Sequence, residues 1–352
     1  MAALPRTKFG RTPDGTEATL HTLRNDLLHV CITDFGGRMV SIAAPDRKRA
    51  FAHVLLGFDD VGSFATAGGS FGALLGRTAN RIAGASFTLD GQTYRLVANE
   101  GDATLHGGKP GFENLFWQVA DSQDGARPTL VLAHTSPDGD QGFPGTLQAR
   151  ATYTLDGDTL TLTLEATTDK PTIVNLSAHP YFNLAGVEQS DVLGHEAMIA
   201  SDAILPTDAR QIPTGEVRDV SGTVFDFRKP TPLGARIRQA DEQLLHGLGY
   251  DCCFVLQGGD AGRPRLAIRL REPRSGRVLE VLTTQRGLQV YTGNKLNGSI
   301  IGRGGIAYRQ SAGLALEGQG FPDAPHHPDF PSIVLRPGET YREVIAYRFT
   351  TD

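Results

Sequence analysis

The chain has 352 residues, with 34 lysines and arginines against 39 aspartates and glutamates, a formal net charge of −5 and 39% hydrophobic residues. No basic tract is available to neutralise a phosphate backbone, so nucleic acid and anionic membrane are poor partners. The 42 glycines and 20 prolines, beside ample core-forming residues, fit a folded, turn-rich chain and exclude a disordered one.

The amino-terminal stretch MAALPRTKFGRTPDG lacks the charged-then-apolar pattern of a signal peptide. No apolar run approaches the roughly 18 residues of a membrane span. Cys31, Cys252 and Cys253 fit neither a disulfide framework nor the C-x-x-C spacing of a zinc site. The expectation is a soluble, cytoplasmic protein in a reducing compartment.

Gly68-Gly69-Ser70-Phe71-Gly72 matches the G-x-S-x-G nucleophile elbow. No buried strand precedes it and a poor helix follows, so it reads as a loop. Leu89-Asp90-Gly91-Gln92, between Ser86-Phe87-Thr88 and Tyr94-Arg95-Leu96, predicts a hairpin. Leu105-His106-Gly107-Gly108 is a turn able to present an imidazole at a cleft. Pro137-Asp138-Gly139-Asp140 and Asp156-Gly157-Asp158 are spaced as hairpin loops, and TLTLTL at residues 159–164 is a period-two strand.

The ten residues Asn175-Leu176-Ser177-Ala178-His179-Pro180-Tyr181-Phe182-Asn183-Leu184 hold a histidine, two asparagines and two aromatic rings. By themselves they leave a structural and a functional reading of His179 open. The best helical signal lies within residues 231–248, where Leu233, Ile237, Leu244 and Leu245 could share one face, and one short helix is expected there. Cys252 and Cys253, beside Phe254-Val255-Leu256, read as core-facing and unreactive. Leu266, Ile268 and Leu270 recur at period two.

In Gly313-Leu314-Ala315-Leu316-Glu317-Gly318-Gln319 a carboxylate follows an apolar run, a setting that can desolvate it and raise its pKa. Asp323-Ala324-Pro325-His326-His327-Pro328-Asp329 offers metal-ligand residue types. Adjacent histidines on an extended chain face opposite sides, so this segment reads as a solvated, proline-stiffened loop. Residues 341–349 form a last strand signal. No linker or internal repeat divides the chain, and the expectation is one large antiparallel all-β domain over residues 1–352 with few short helices.

Several blocks together carry a resemblance. They are Gly76-Arg77-Thr78-Ala79-Asn80-Arg81-Ile82-Ala83-Gly84, Thr104-Leu105-His106-Gly107-Gly108, the His179 segment and Gly249-Tyr250-Asp251. They continue with Thr283-Thr284-Gln285 through Gln289-Val290-Tyr291-Thr292-Gly293-Asn294, Leu316-Glu317-Gly318-Gln319, and Phe321-Pro322-Asp323 through Pro337-Gly338-Glu339-Thr340-Tyr341. In this order and at this spacing they resemble the aldose 1-epimerase (galactose mutarotase) family from about residue 30 to the carboxy terminus.

The resemblance implies a large antiparallel β sandwich with an open sugar cleft, and an enzyme interconverting the α and β anomers of a free aldose such as galactose or glucose. Glu317 matches the general base that takes the C1 hydroxyl proton, and His179 the acid that protonates the ring oxygen. His106 matches a second donor to that oxygen. Asn80, Arg81, His106, Asp251 and Gln289 match sugar-holding residues. No metal or organic cofactor is implied, and the expected assembly is a monomer or homodimer. Two departures stand beside the site: Ala178 where the family commonly carries Asn, and Cys252 where it often carries His. The rivals are a hexose-6-phosphate 1-epimerase, which needs extra cations for the phosphate, and a non-catalytic sugar-binding protein, which would be expected to lose Glu317 or His179. A glycoside hydrolase would need two carboxylates flanking the bond, and Asp251 is the one candidate partner for Glu317.

Overall fold

In the computed structural model, residues 2–189, 191–258 and 262–352 are described. The period-two segments become strands. Leu147–Asp156 and Thr159–Thr168 pair antiparallel from Leu147↔Thr168 to Asp156↔Thr159. The turn between them holds Gly157 at φ 56°, a left-handed conformation that suits glycine. Leu147, Ala149, Ala151, Tyr153 and Leu155 alternate inward on one strand, and Leu160, Leu162 and Leu164 on the next. Tyr341–Thr351 inserts between Thr159–Thr168 and Arg277–Thr283 in a nine-stranded sheet. The expected hairpin pairs Ser86–Leu89 with Gln92–Arg95. Asp90 and Gly91 take φ 51° and 79°, the positive pair of a type I′ turn.

A five-stranded sheet, Arg6–Arg11 to Phe51–His53, and a six-stranded sheet in which Gly287–Tyr291 lies between Leu314–Gln319 and Asp251–Leu256 complete the framework. One apolar core joins Val30 and Ile42 of the first, Phe254, Leu288 and Leu316 of the second, and Tyr153, Leu162 and Tyr347 of the nine-stranded sheet. The result is a large antiparallel β sandwich. Leu314–Gln319 is buried at all six positions, because one face meets this core and the other floors a cleft.

The local geometry refines three expectations and corrects a fourth. Residues 231–248 hold one short α-helix, Glu242–Gly247, capped by Asp241, while Thr231–Pro232 is a strand and Leu233–Ala235 a 3-10 turn. Pro232 and Gly234 disfavour helix at the start. Leu233, Ile237 and Leu244 still reach the interior, whereas Leu245 is 71% exposed. A helix without a clear sequence signal, Val61–Ala67, precedes Gly68. Ser70 therefore lies on a helix-to-strand loop, the reverse of the elbow's order.

His326 and His327 do not diverge. A 3-10 turn, Ala324–His326, brings both rings to Asp323, at 2.6 Å for His326 Nδ1 and 3.4 Å for His327 Nε2. The Ala83 N–H also donates to that carboxylate at 2.9 Å. Cys252 and Cys253 are both buried but on opposite faces of Asp251–Leu256. Cys252 joins the main core, while Cys253 packs with Phe321 and Phe330. Burial pushes both thiols up, and Asp251 adds to the rise at Cys252. Both are therefore thiols, not thiolates, at neutral pH.

Candidate active site

The register of three adjacent strands sets the cleft floor. Cys253 lies opposite Gln289, which lies opposite Glu317, and Asp251 lies opposite Tyr291. Opposed residues share a face, as do residues two apart on one strand. Asp251, Gln289, Tyr291 and Glu317 therefore project to one side.

His179 lies between the short strands Ser177–Ala178 and Tyr181–Phe182. Its N–H donates to Ala73 O, and its carbonyl accepts from the Gly72 N–H, each at 2.9 Å. The ring sits 4.7 Å from that of Tyr181 and 5.6 Å edge-on from that of His106. His106 follows Thr104–Leu105, which pairs with Arg81–Ile82. It takes φ 52°, and Asn80 takes φ 60°, both left-handed for residues with a Cβ, a local strain that gathers at functional sites. The next residue must be small: a Cβ on Gly107 would fall 2.0 Å from Gly76 O.

Asn80, Arg81, His106, His179, Asp251, Gln289 and Glu317 all line one open cleft of about 420 Å³. The structure thus brings together all seven residues named from the resemblance. Glu100, Tyr181, Tyr291 and Lys295 line it as well. The tyrosines lie within blocks that carry the resemblance, but Glu100 and Lys295 gave no signal, since their roles come from a tertiary contact. Arg81 donates to Glu100 through Nε at 2.5 Å, and Lys295 Nζ donates to it at 3.3 Å. Although burial opposes it, Arg81 holds the Glu100 carboxyl below its usual range.

His179 Nε2 is 3.5 Å from Glu317 Oε1, and Glu317 is 2% exposed. Burial, reinforced by the charge of Asp251, raises the Glu317 pKa well above the usual carboxylate range. Burial lowers His179 to about 4, and Arg38 pushes the same way. Low dielectric thus disfavours charge on either partner, and above the lowered His179 value the pair holds one proton between them until the raised Glu317 carboxyl ionises. Burial, then the neighbouring His179 and Arg81, also keeps His106 neutral.

His106, His179 and Glu317 offer ligand atoms within 4.8 Å of one another, a donor set that zinc also uses. The Asn80 N–H, however, donates to His106 Nδ1 at 3.2 Å, which fixes the ring proton on Nε2. His106 therefore presents an N–H and not a lone pair. The trio fits a hydrogen-bonding site for an oxygen-rich ligand and does not fit a metal.

A family model described as aldose 1-epimerase matches residues 19–348. The chain is 40% identical over 351 residues to galactose mutarotase of Bos taurus, covering 99% of each. It is 38% identical over 344 residues to aldose 1-epimerase of Escherichia coli strain K12, covering 97% of each. A solved structure, galactose 1-epimerase from Lactobacillus acidophilus, matches with a TM-score of 0.86 at 26% identity over 99% of each chain. Because the family model and both sequence relatives match over nearly the full length of a chain with this fold and cleft, the protein belongs to the aldose 1-epimerase family.

Proposed function

We propose that the protein interconverts the α and β anomers of a free aldose, galactose or glucose, by acid–base opening and reclosure of the ring. The observation that carries this reading is the buried Glu317–His179 pair, 3.5 Å apart, in a cleft lined with sugar-matching polar groups. Hemiacetal opening removes one proton from the C1 hydroxyl and delivers one to the ring oxygen. Glu317 takes the first and His179 supplies the second. That working form, carboxylate and imidazolium, lies one proton transfer from the uncharged form burial favours. Rotation about C1–C2 exposes the other carbonyl face, and reclosure uses the pair in reversed roles. The Nε2–H of His106 is placed to steady the ring oxygen as charge develops. Asn80, Arg81, Asp251 and Gln289 hold the hydroxyls.

A phosphorylated sugar is disfavoured because the cleft's cations, Arg81 and Lys295, are both engaged by Glu100. A purely binding role is disfavoured because acid and base are both present. The chain reads as one domain, since residues from Leu4 to Phe349 share one apolar core. Polarimetry or proton NMR of freshly dissolved α-anomers tests the reaction, and no acceleration of any aldose would refute it. Activity is expected to survive exhaustive EDTA dialysis unchanged; a loss reversed by a divalent ion would overturn the metal-free chemistry.

Cys252→Ala and Cys253→Ala are each expected to leave turnover within about twofold. Each should lower stability by about 1 kcal/mol or more through lost packing. Thermal melts and mutarotation kinetics check both, and loss of turnover in a folded Cys252→Ala protein would give that thiol an active part.

A further inference from the structure

Behind Arg81 and Asp251 lies Gln211, at the end of a turn held by its own hydrogen bonds. The Gln211 N–H donates to Asp208 O at 2.9 Å, and the Ile212 N–H donates to Asp208 Oδ1 at 3.1 Å. Gln211 adopts φ 62°, and its side chain turns inward. Nε2 donates to Asp251 Oδ2 at 2.7 Å, while Oε1 accepts from an Arg81 terminal nitrogen at 2.9 Å. Gln289 Nε2 donates to the other oxygen of Asp251 at 2.7 Å.

The side chains thus form a relay: Lys295 and Arg81 donate to Glu100, Arg81 donates to Gln211, and Gln211 and Gln289 donate to Asp251. A guanidinium only donates and a carboxylate only accepts, so the orientation of the amide is forced. Position 211 needs both functions at once without added charge. An amide supplies them; a carboxylate in its place would accept from Arg81 but repel Asp251. Gln211 does not line the main cleft. It borders a void of about 10 Å³ behind Asn80, Arg81 and Asp251, far too small for a sugar.

We infer that Gln211 is a positioning residue for substrate binding, a neutral spacer that holds Asp251 and Arg81 apart and aimed at the sugar. The inference rests on the proposed sugar-holding roles of those two residues. Without the spacer, carboxylate and guanidinium can collapse into a direct ion pair, and both are then lost to the ligand.

The test compares Gln211→Ala with the isosteric Gln211→Glu by calorimetric titration of galactose and glucose and by saturation kinetics. Both variants are expected to bind sugar about tenfold more weakly, the order of one lost buried hydrogen bond. KM should rise in parallel, with kcat within threefold of wild type and an unchanged circular dichroism spectrum. The affinity measurement stands whether or not the wild type speeds mutarotation, so failure of the proposed reaction is read separately. Affinities within twofold of wild type overturn the inference. So does wild-type affinity in Gln211→Glu alone, which would reduce the residue to filling space. A fall in kcat and melting temperature with sugar affinity unchanged also overturns it, since it marks a merely structural role.

Discussion

Glu317→Gln is expected to lower kcat for mutarotation by about 10²-fold or more, with KM within a few-fold of wild type. The amide keeps the shape and hydrogen bonding of the carboxyl but cannot accept the C1 proton. Arg81, His106, Asp251 and Gln289, the residues proposed to hold the ring, are unaltered. The variant should fold, and the sign of its stability effect is fixed by the pKa shift. Burial raises the Glu317 pKa in the folded state, so the folded protein binds more protons than the unfolded chain between the unfolded and folded values. Stability contributed at this position is therefore present below the unfolded pKa and lost as pH rises through the folded one. A neutral glutamine has no such loss, and Glu317→Gln should melt at or above the wild-type temperature at neutral pH. Saturation kinetics with α-galactose or α-glucose, beside thermal melts, give both readouts. Turnover within a few-fold of wild type in a folded variant would mean that another group is the base, and that fold is shared here without the chemistry.

His179→Asn is expected to reduce kcat by a similar factor, about 10²-fold or more, because asparagine cannot deliver and recover the ring-oxygen proton. The pH profile makes the assignment specific. Burial lowers His179 to about 4, so the pair stays singly protonated through mildly acid conditions. The wild-type profile should have its acid limb near about 4 and not in the ordinary histidine range. Its alkaline limb belongs to loss of the last shared proton, at a position set by the raised Glu317. In His179→Asn the residual rate should lose that acid limb. If this variant kept wild-type turnover, the ring oxygen would be protonated from elsewhere, and the neighbouring Nε2–H of His106 would become the leading donor.

The sequence by itself determined the antiparallel, strand-rich class of the fold and, through the family resemblance, named the candidate site residues. The first rests on short-range signals. The alternation of residues 159–164 and the Asp90–Gly91 turn act within a few positions, so local stereochemistry settles them. The blocks around Asn80, His106, His179, Asp251, Gln289 and Glu317 are contiguous runs, so the resemblance could be carried by their order and spacing, and the roles proposed for these residues come from it.

The tertiary structure decided what depends on residues far apart in the chain. The bond between Gln211 and Arg81 spans 130 positions, and that between Lys295 and Glu100 spans 195. No local pattern announces either. Adjacent Cys252 and Cys253 share one apolar run, yet pleating sends them to different clusters. His326 and His327 converge on Asp323 because a turn replaces the extended chain. The side-chain types at Glu317 and His179 were legible, but their working pKa values were not. Those follow from how much water the packed strands exclude and from which charges remain nearby, and both are sums over the whole fold.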